Sequence, residues 1–139
     1  MIEPTLALQT AIRSALIASS SVIAFVPKDQ IRSGSTRPDK LPTIIMSGGQ
    51  TEFLGYAAGS QYIARVFLDL HIWALDDGAD TAQGIGFAVC TALQTAPNAI
   101  GFSFDDFSRP VVRWMRDPDP ALSYAHGVIT LEAVIRWNV

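Results

Sequence analysis

The sequence has 139 residues, 49% of them hydrophobic and 17% charged, with a formal net charge of −3 at pH 7. This acidic balance, without any run of Lys or Arg, argues against sequence-specific recognition of nucleic acid. The single cysteine, Cys90, excludes an internal disulfide and a zinc site built from several thiolates. The length fits one domain over residues 1–139, and the low charge favours apolar surface that is left over for interfaces.

No apolar run is long enough to predict a membrane span. The first ten residues lack the basic region followed by an apolar region that marks a signal peptide. We therefore expect a protein that contacts no membrane and is made and assembled in the cytoplasm.

The N-terminal part predicts one helix and a short strand. An amphipathic helix is expected from Thr5 to about Ser19, with Pro4 suited to its first turn. Its apolar stripe consists of Leu8, Ile12, Ala15 and Leu16. The following apolar run, Val22–Val26, fits either a helical turn or a buried linker, and Gln30–Ser33 fits a short strand.

A glycine-containing segment follows the next predicted strand. Leu41–Met46 is expected to be a strand, with Pro42 near its start, where a missing N–H is tolerated. Ser47–Ser60 predicts a long mobile loop or a hairpin arm. Its glycines are Gly48, Gly49, Gly55 and Gly59.

Tyr62–Leu75 is the clearest strand in the sequence. Its even-numbered residues from Tyr62 to Ile72 are apolar and predict a side that faces the core, whereas the odd-numbered side is mixed. A turn at Asp76–Gly78 leads into a second helix, Thr81–Thr95, which Asp77 or Asp80 can cap.

Three more strands complete the pattern: Phe102–Phe107, Val111–Met115 and Ser123–Val139. Gly84 and Gly86 would let the second helix approach a sheet closely. The order of elements predicts an α+β fold, an antiparallel or mixed β-sheet with two helices packed on one face.

Residues that could carry chemistry are few. His71 and His126 lie in predicted strands far apart in sequence, without a third ligand at metal-site spacing, so ring packing is the expected role. A cluster with Asp69 or Glu132 stays possible if the strands pair. Cys90 lies beside an apolar helix stripe and fits a buried hydrophobe better than a nucleophile. We predict no catalytic residue, metal or cofactor, and no enzyme activity.

Several stretches in this order resemble a family of phage tail-terminator or tail-completion proteins, found in long-tailed phages and gene-transfer particles. They are Leu8–Leu16, Leu41–Ile45 with the polar arm after it, Leu70–Ala74 leading to Ala88–Leu93, and His126–Leu131. The resemblance spans nearly the whole chain. It implies a structural virion protein without cofactor or catalytic residues, located at the head-proximal end of the tail.

The resemblance further implies a sixfold ring of identical copies that ends polymerisation of the tail tube and gives the head a docking surface. Its partners would be further copies of the chain, the tail tube protein and a head-side connector or stopper. For the interface we expect Phe53, Leu54 and Tyr56 as apolar anchors on the arm, with Gln50 and Glu52 at its polar rim. Trp114 is a further candidate; Trp73, Trp114 and Trp137 fit an interface and a core equally well.

Two other functions stay open on the sequence alone. One is a different head–tail joining protein of the same particle, because such a ring requires the same physics. The other is a small-ligand-binding or hydrolytic domain with a pocket between sheet and helices. That second alternative would need polar groups on the core side of Tyr62–Leu75, which is instead apolar.

Overall fold

The computed structural model describes residues 3–57, 59–76, 80–117, 119, 121 and 123–138, in which three α-helices accompany a mixed sheet of six strands. In chain order the elements are α1 (Pro4–Ala18), α2 (Ser20–Ile23), a 3₁₀ turn (Lys28–Gln30), β1 (Ile31–Ser33), β2 (Thr43–Ala57), β3 (Gln61–Leu75), α3 (Thr81–Ala92), β4 (Ser103–Phe107), β5 (Val111–Arg116) and β6 (Tyr124–Asn138).

The two edges of the sheet are built differently. The strand order is β1-β2-β3-β6-β4, and β5 also pairs with β6, so that β4 and β5 follow one another along the same side of β6. Among the described strands, only β1 and β2 pair in parallel. β1 covers β2 only from Ile44 to Met46. Among the described residues, no strand pairs with the outer side of the rest of β2, which forms an edge opposite the one made by β4 and β5.

Alternation along β3 and β6 gives the sheet two distinct faces. We call the side of Ala64, Leu68, Ile129 and Leu131 the helix face, because α1 and α3 cover it and these side chains are buried. The other side, with Arg65, Asp69, His71 and Glu132, we call the open face. The predicted apolar side of Tyr62–Leu75 is the helix face, as expected.

Close approach of the helices depends on small residues in α3. A Cβ at Gly84 would lie 3.0 Å from the ring of Phe25, and one at Gly86 would lie 2.9 Å from the ring of Trp114. The stripe Leu8, Ile12 and Leu16 of α1 is fully buried against the sheet. The expectation that glycines bring α3 close to its neighbours is therefore confirmed.

The α+β fold with a mixed sheet is confirmed, and Val22 lies in a helical turn. The expectation of a loop after Met46 is wrong, since β2 continues to Ala57 and the hairpin-arm alternative is the correct one. Cross-strand pairing with β3 outweighs the low strand preference of the glycines. The second helix ends at Ala92 and not at Thr95.

The capping prediction for α3 is only partly right. Asp80 occupies the N-cap position, but its backbone is left-handed and its side chain makes no capping hydrogen bond. The alternative cap, Asp77, and the predicted turn at Asp77 and Gly78 lie outside the described residues.

Candidate functional site

The far half of the β2–β3 hairpin forms an exposed arm, which we define as residues 47–57 of β2. Phe53 is 69% exposed and Tyr56 75% exposed, and Leu54 is also exposed. Monomeric proteins normally keep large apolar side chains in such numbers away from solvent, so a cluster of them marks a surface that another molecule covers. The arm therefore carries the principal candidate interaction surface.

Two bulges shape the arm. The register with β3 shifts between Gly48 and Gln50 and again between Phe53 and Gly55, so that Gly49 and Leu54 are the extra residues. Gly55 has a φ of 105°, a backbone conformation that other residues rarely adopt. Bulges bend an edge strand and redirect its side chains, which turns Leu54 outward.

The register assigns the arm residues to the two faces of the sheet. Gln50 and Glu52 lie opposite Phe67 and Arg65 and therefore belong to the open face. Phe53 and Tyr56 lie opposite Ala64 and Tyr62 and belong to the helix face. The polar and aromatic parts of the predicted interface are thus segregated by strand alternation.

The arm is held by cross-strand contacts. On the open face Arg65 bridges Glu52 and Glu132, with N–O distances of 3.5 and 3.1 Å. On the helix face the ring of Tyr56 lies 4.7 Å from that of Tyr62, which in turn contacts Trp137. These pairs give the arm a defined conformation before any partner binds.

Trp114 occupies the opposite edge of the sheet. It lies opposite Gly127 on the helix face, and its ring is seated between Gly127 and Gly86 of α3. The indole is 40% exposed, so its inner part completes the core and its outer part stays accessible. Within one chain β3 and β6 separate Trp114 from the arm; the structure does not bring the six predicted interface residues together.

The two other tryptophans belong to the interior, since Trp73 and Trp137 are buried. A shallow groove of about 260 Å³ adjoins Trp114, and its apolar lining includes Leu75 and Met115. Leu75 is exposed as well. The edge at β5 therefore offers apolar surface of its own.

The histidines form a ring stack on the open face. Pairing of β3 with β6 brings His71 Nδ1 to 3.0 Å from His126 Nε2, and Ser47 Oγ lies 3.1 Å from His71 Nε2. The ring of His126 stacks on that of Trp73 with centroids 3.8 Å apart. The expected packing role is confirmed, and the contact between the two rings is one that their separate positions in the sequence do not predict.

Burial keeps both imidazole rings of the stack neutral. It lowers the pKa of His71, and together with the neighbouring His71 it lowers the pKa of His126 to about 4. Both rings are therefore neutral at pH 7. Over the described ranges, no group of three His, Cys, Asp or Glu side chains is arranged to hold a metal ion.

Sequence reasoning missed an ion pair that closes one end of the open face. Arg37 donates two hydrogen bonds to the Asp117 carboxylate, at 2.7 and 3.0 Å, and its guanidinium lies 5.1 Å from the ring centroid of Trp73. These residues are 80 positions apart in sequence. No local spacing could have paired them.

Cys90 is half-buried, and burial raises the pKa of its thiol. A thiol that resists ionisation is a poor nucleophile, which agrees with the expected packing role.

Comparison with known proteins decides the family. The model of the family described as tail completion protein gp17 matches residues 10–136, which include the arm and Trp114. The chain belongs to the gp17 tail completion protein family. It is thus a structural component of the tail of a phage-type virion, as the sequence resemblance implied.

Two solved structures share the fold of this tail completion protein. One comes from the virion of a native gene transfer agent particle, with a TM-score of 0.68, 17% identity, and coverage of 97% of this chain and 99% of that one. The other is bacteriophage SPP1 gp17, with a TM-score of 0.52, 20% identity, and coverage of 97% and 90%. Comparison with curated protein sequences gives no match.

Among the described residues, no helix combines the length and apolar character needed to cross a membrane.

Proposed function

We propose that this tail completion protein forms a closed ring at the head-proximal end of the tail tube. The ring ends tube polymerisation and gives a head-side connector or stopper protein its docking surface. Its partners are copies of itself, expected to number six, the last ring of the tube protein and the connector. The chain acts as a structural part and not as an enzyme.

The observation that carries the proposal is the exposed aromatic surface of the arm, formed by Phe53 and Tyr56. A monomer would gain nothing from a rigid arm that presents two aromatic side chains to water. Burying them against another subunit contributes roughly 25 cal/mol for each Å² of apolar surface removed from water. Aromatic anchors of this kind supply most of the binding energy in many interfaces.

A ring also needs two different surfaces on each copy, because each subunit contacts its two neighbours through different patches. The arm lies on one edge of the sheet and Trp114 on the other. This placement supports a head-to-tail arrangement of copies.

The ligand-binding or hydrolytic alternative has little support. It requires polar groups between sheet and helices, yet Ala64, Val66, Leu68, Leu70 and Ile72 are fully buried there in a continuous apolar layer. The remaining alternative is another head–tail joining protein of the same particle. Deletion of the gene distinguishes that role from termination of the tail tube.

Electron microscopy of particles made by cells that lack this gene tests the proposal. Overlong tails, free of heads, are the expected result. Tails of normal length that fail to join heads would instead assign the protein to the connector. Normal joined particles would contradict both roles.

A further inference from the structure

The two edges of the sheet are complementary to each other. We propose that the arm of one copy pairs, strand to strand, with β5 of the next copy, so that the sheet continues from subunit to subunit. We call this contact the β2–β5 seam. The inference rests on the proposed ring and names the surfaces that join its copies.

Both strands offer unpaired backbone. Beyond Met46 the outer side of β2 has no strand beside it, and the outer side of β5 has none either among the described residues. Nearly all of β5 is exposed, including Val111, Arg113 and Met115. An exposed edge strand with apolar side chains is a template for pairing with another chain.

Charge is complementary across the seam. Residues 109–116 contain three arginines, Arg109, Arg113 and Arg116, and no acidic residue, whereas the arm contains Glu52 as its single charged group. None of these three arginines forms an ion pair with another described residue. Glu52 keeps a partly exposed carboxylate beside Arg65. Opposite charges at such edges favour the correct register and partner.

The assignment of side chains to the two faces of the sheet also fits the β2–β5 seam. Arg113 lies opposite Val128 and belongs to the open face, as Glu52 does. Trp114 belongs to the helix face, as Phe53 does. A sheet that continues from one copy to the next has the same two faces in both copies. Glu52 of one copy therefore lies on the same face as Arg113 of the next, and Phe53 lies on the same face as the indole of Trp114. The five predicted interface residues of the arm and Trp114, which lie on opposite edges within one chain, then lie along one contact.

The neighbouring strand β4 does not offer the same fit. It carries Asp105 and the exposed Asp106 and is interrupted by a bulge between Phe104 and Asp106. Asp106 lies opposite Val134 and therefore belongs to the open face, where its carboxylate would repel Glu52 of a neighbouring copy. The seam is therefore specific for β5.

Disulfide cross-linking in assembled tails tests the seam. Cys90→Ser removes the native thiol, and cysteine pairs are then introduced on the open face, combining position 50 or 52 with position 111 or 113. At least one combination is expected to give, on oxidation, a ladder of covalent multimers that ends at the closed ring. Each single-cysteine variant and the control combination of Gln50→Cys with Asp106→Cys should give no ladder.

A charge swap supplies a second readout. Glu52→Arg and Arg113→Glu are each expected to lower the yield of joined particles by about tenfold or more, and the double variant to restore it. Absence of any ladder together with failure of the double variant to rescue would overturn the seam. Overlong tails in the gene-deleted cells would then leave the proposed function standing, whereas normal joined particles would remove the function itself.

Discussion

The indole of Trp114 fills the space above Gly127: a Cβ at position 127 would lie 2.5 Å from the ring. Such a contact is too short for any real side chain, so position 127 has to be glycine for β5 to lie against β6 with Trp114 turned toward α3. The contact between Trp114 and Gly127 therefore determines both how β5 packs beside β6 and which part of the Trp114 indole stays exposed.

Gly127→Ala is expected to lower the free energy of unfolding by roughly 1 to 3 kcal/mol, because the added methyl group overpacks the site and displaces Trp114. Denaturant unfolding measures the loss. Gly49→Ala is the matched control, since its Cβ would make an ordinary 3.6 Å contact with Phe67. If Gly127→Ala costs as much in a Trp114→Ala background as in the natural chain, the clash with the indole is not the cause.

The histidine stack predicts a loss of stability in mild acid. The pKa of His126 is about 4 in the folded protein and near 6.5 when the chain is unfolded. The unfolded chain therefore binds more protons between these values, and the melting temperature should fall as the pH drops from 6.5 toward 4. His71 acts in the same direction. Below that range, Asp117 adds to the loss, because its hydrogen bonds with Arg37 lower its pKa.

His126→Asn should flatten the profile of melting temperature against pH in that window. A natural chain whose melting temperature stays constant from pH 7 to pH 4 would contradict the neutral, buried stack.

The ion pair between Arg37 and Asp117 is expected to stabilise the fold far more than a surface pair does. The Asp117 side chain is almost completely buried and accepts two charge-assisted hydrogen bonds from Arg37. Asp117→Asn removes the carboxylate charge and one of the two acceptor oxygens, and so lowers the melting temperature. Asp39→Asn is the control, because Asp39 is largely exposed and lies 3.6 Å from Arg32. Equal melting temperatures for the two variants would contradict a structural role for the buried pair.

Much of the fold follows from local patterns in the sequence. The alternation of Tyr62–Leu75 and the helical stripe of Leu8, Ile12 and Leu16 gave both the elements and their buried sides, because burial on one face imposes a period of two or 3.6. The extent of β2 did not follow, because glycines at positions 48, 49 and 55 obscure a strand whose stability comes from its partner β3.

Long-range contacts were beyond the reach of sequence patterns. The arm residues were proposed from their apolar character within a glycine-containing segment, and the structure places them on an exposed edge. The seat of Trp114 between Gly86 and Gly127 depends on three elements that meet only in the folded chain. The same holds for the contact of His71 with His126.

Assembly should depend on the aromatic surface of the arm. Phe53→Ser is expected to leave the circular dichroism spectrum unchanged, because Phe53 is mostly exposed, and to abolish the joining of tails to heads in a complementation assay. Phe87→Ser is the matched control, since Phe87 is 75% exposed on α3 and lies outside the arm. Equal complementation by the two variants would show that general surface apolarity, and not the arm, matters.

The most direct test of the central claim is cryo-electron microscopy of the junction between head and tail in complete particles. The proposed function predicts a single ring of this chain between the last ring of the tube protein and the head-side connector, with the arm of each copy against its neighbour. Density for this chain at the tip of the tail, along the tube or absent from the particle would contradict the proposal.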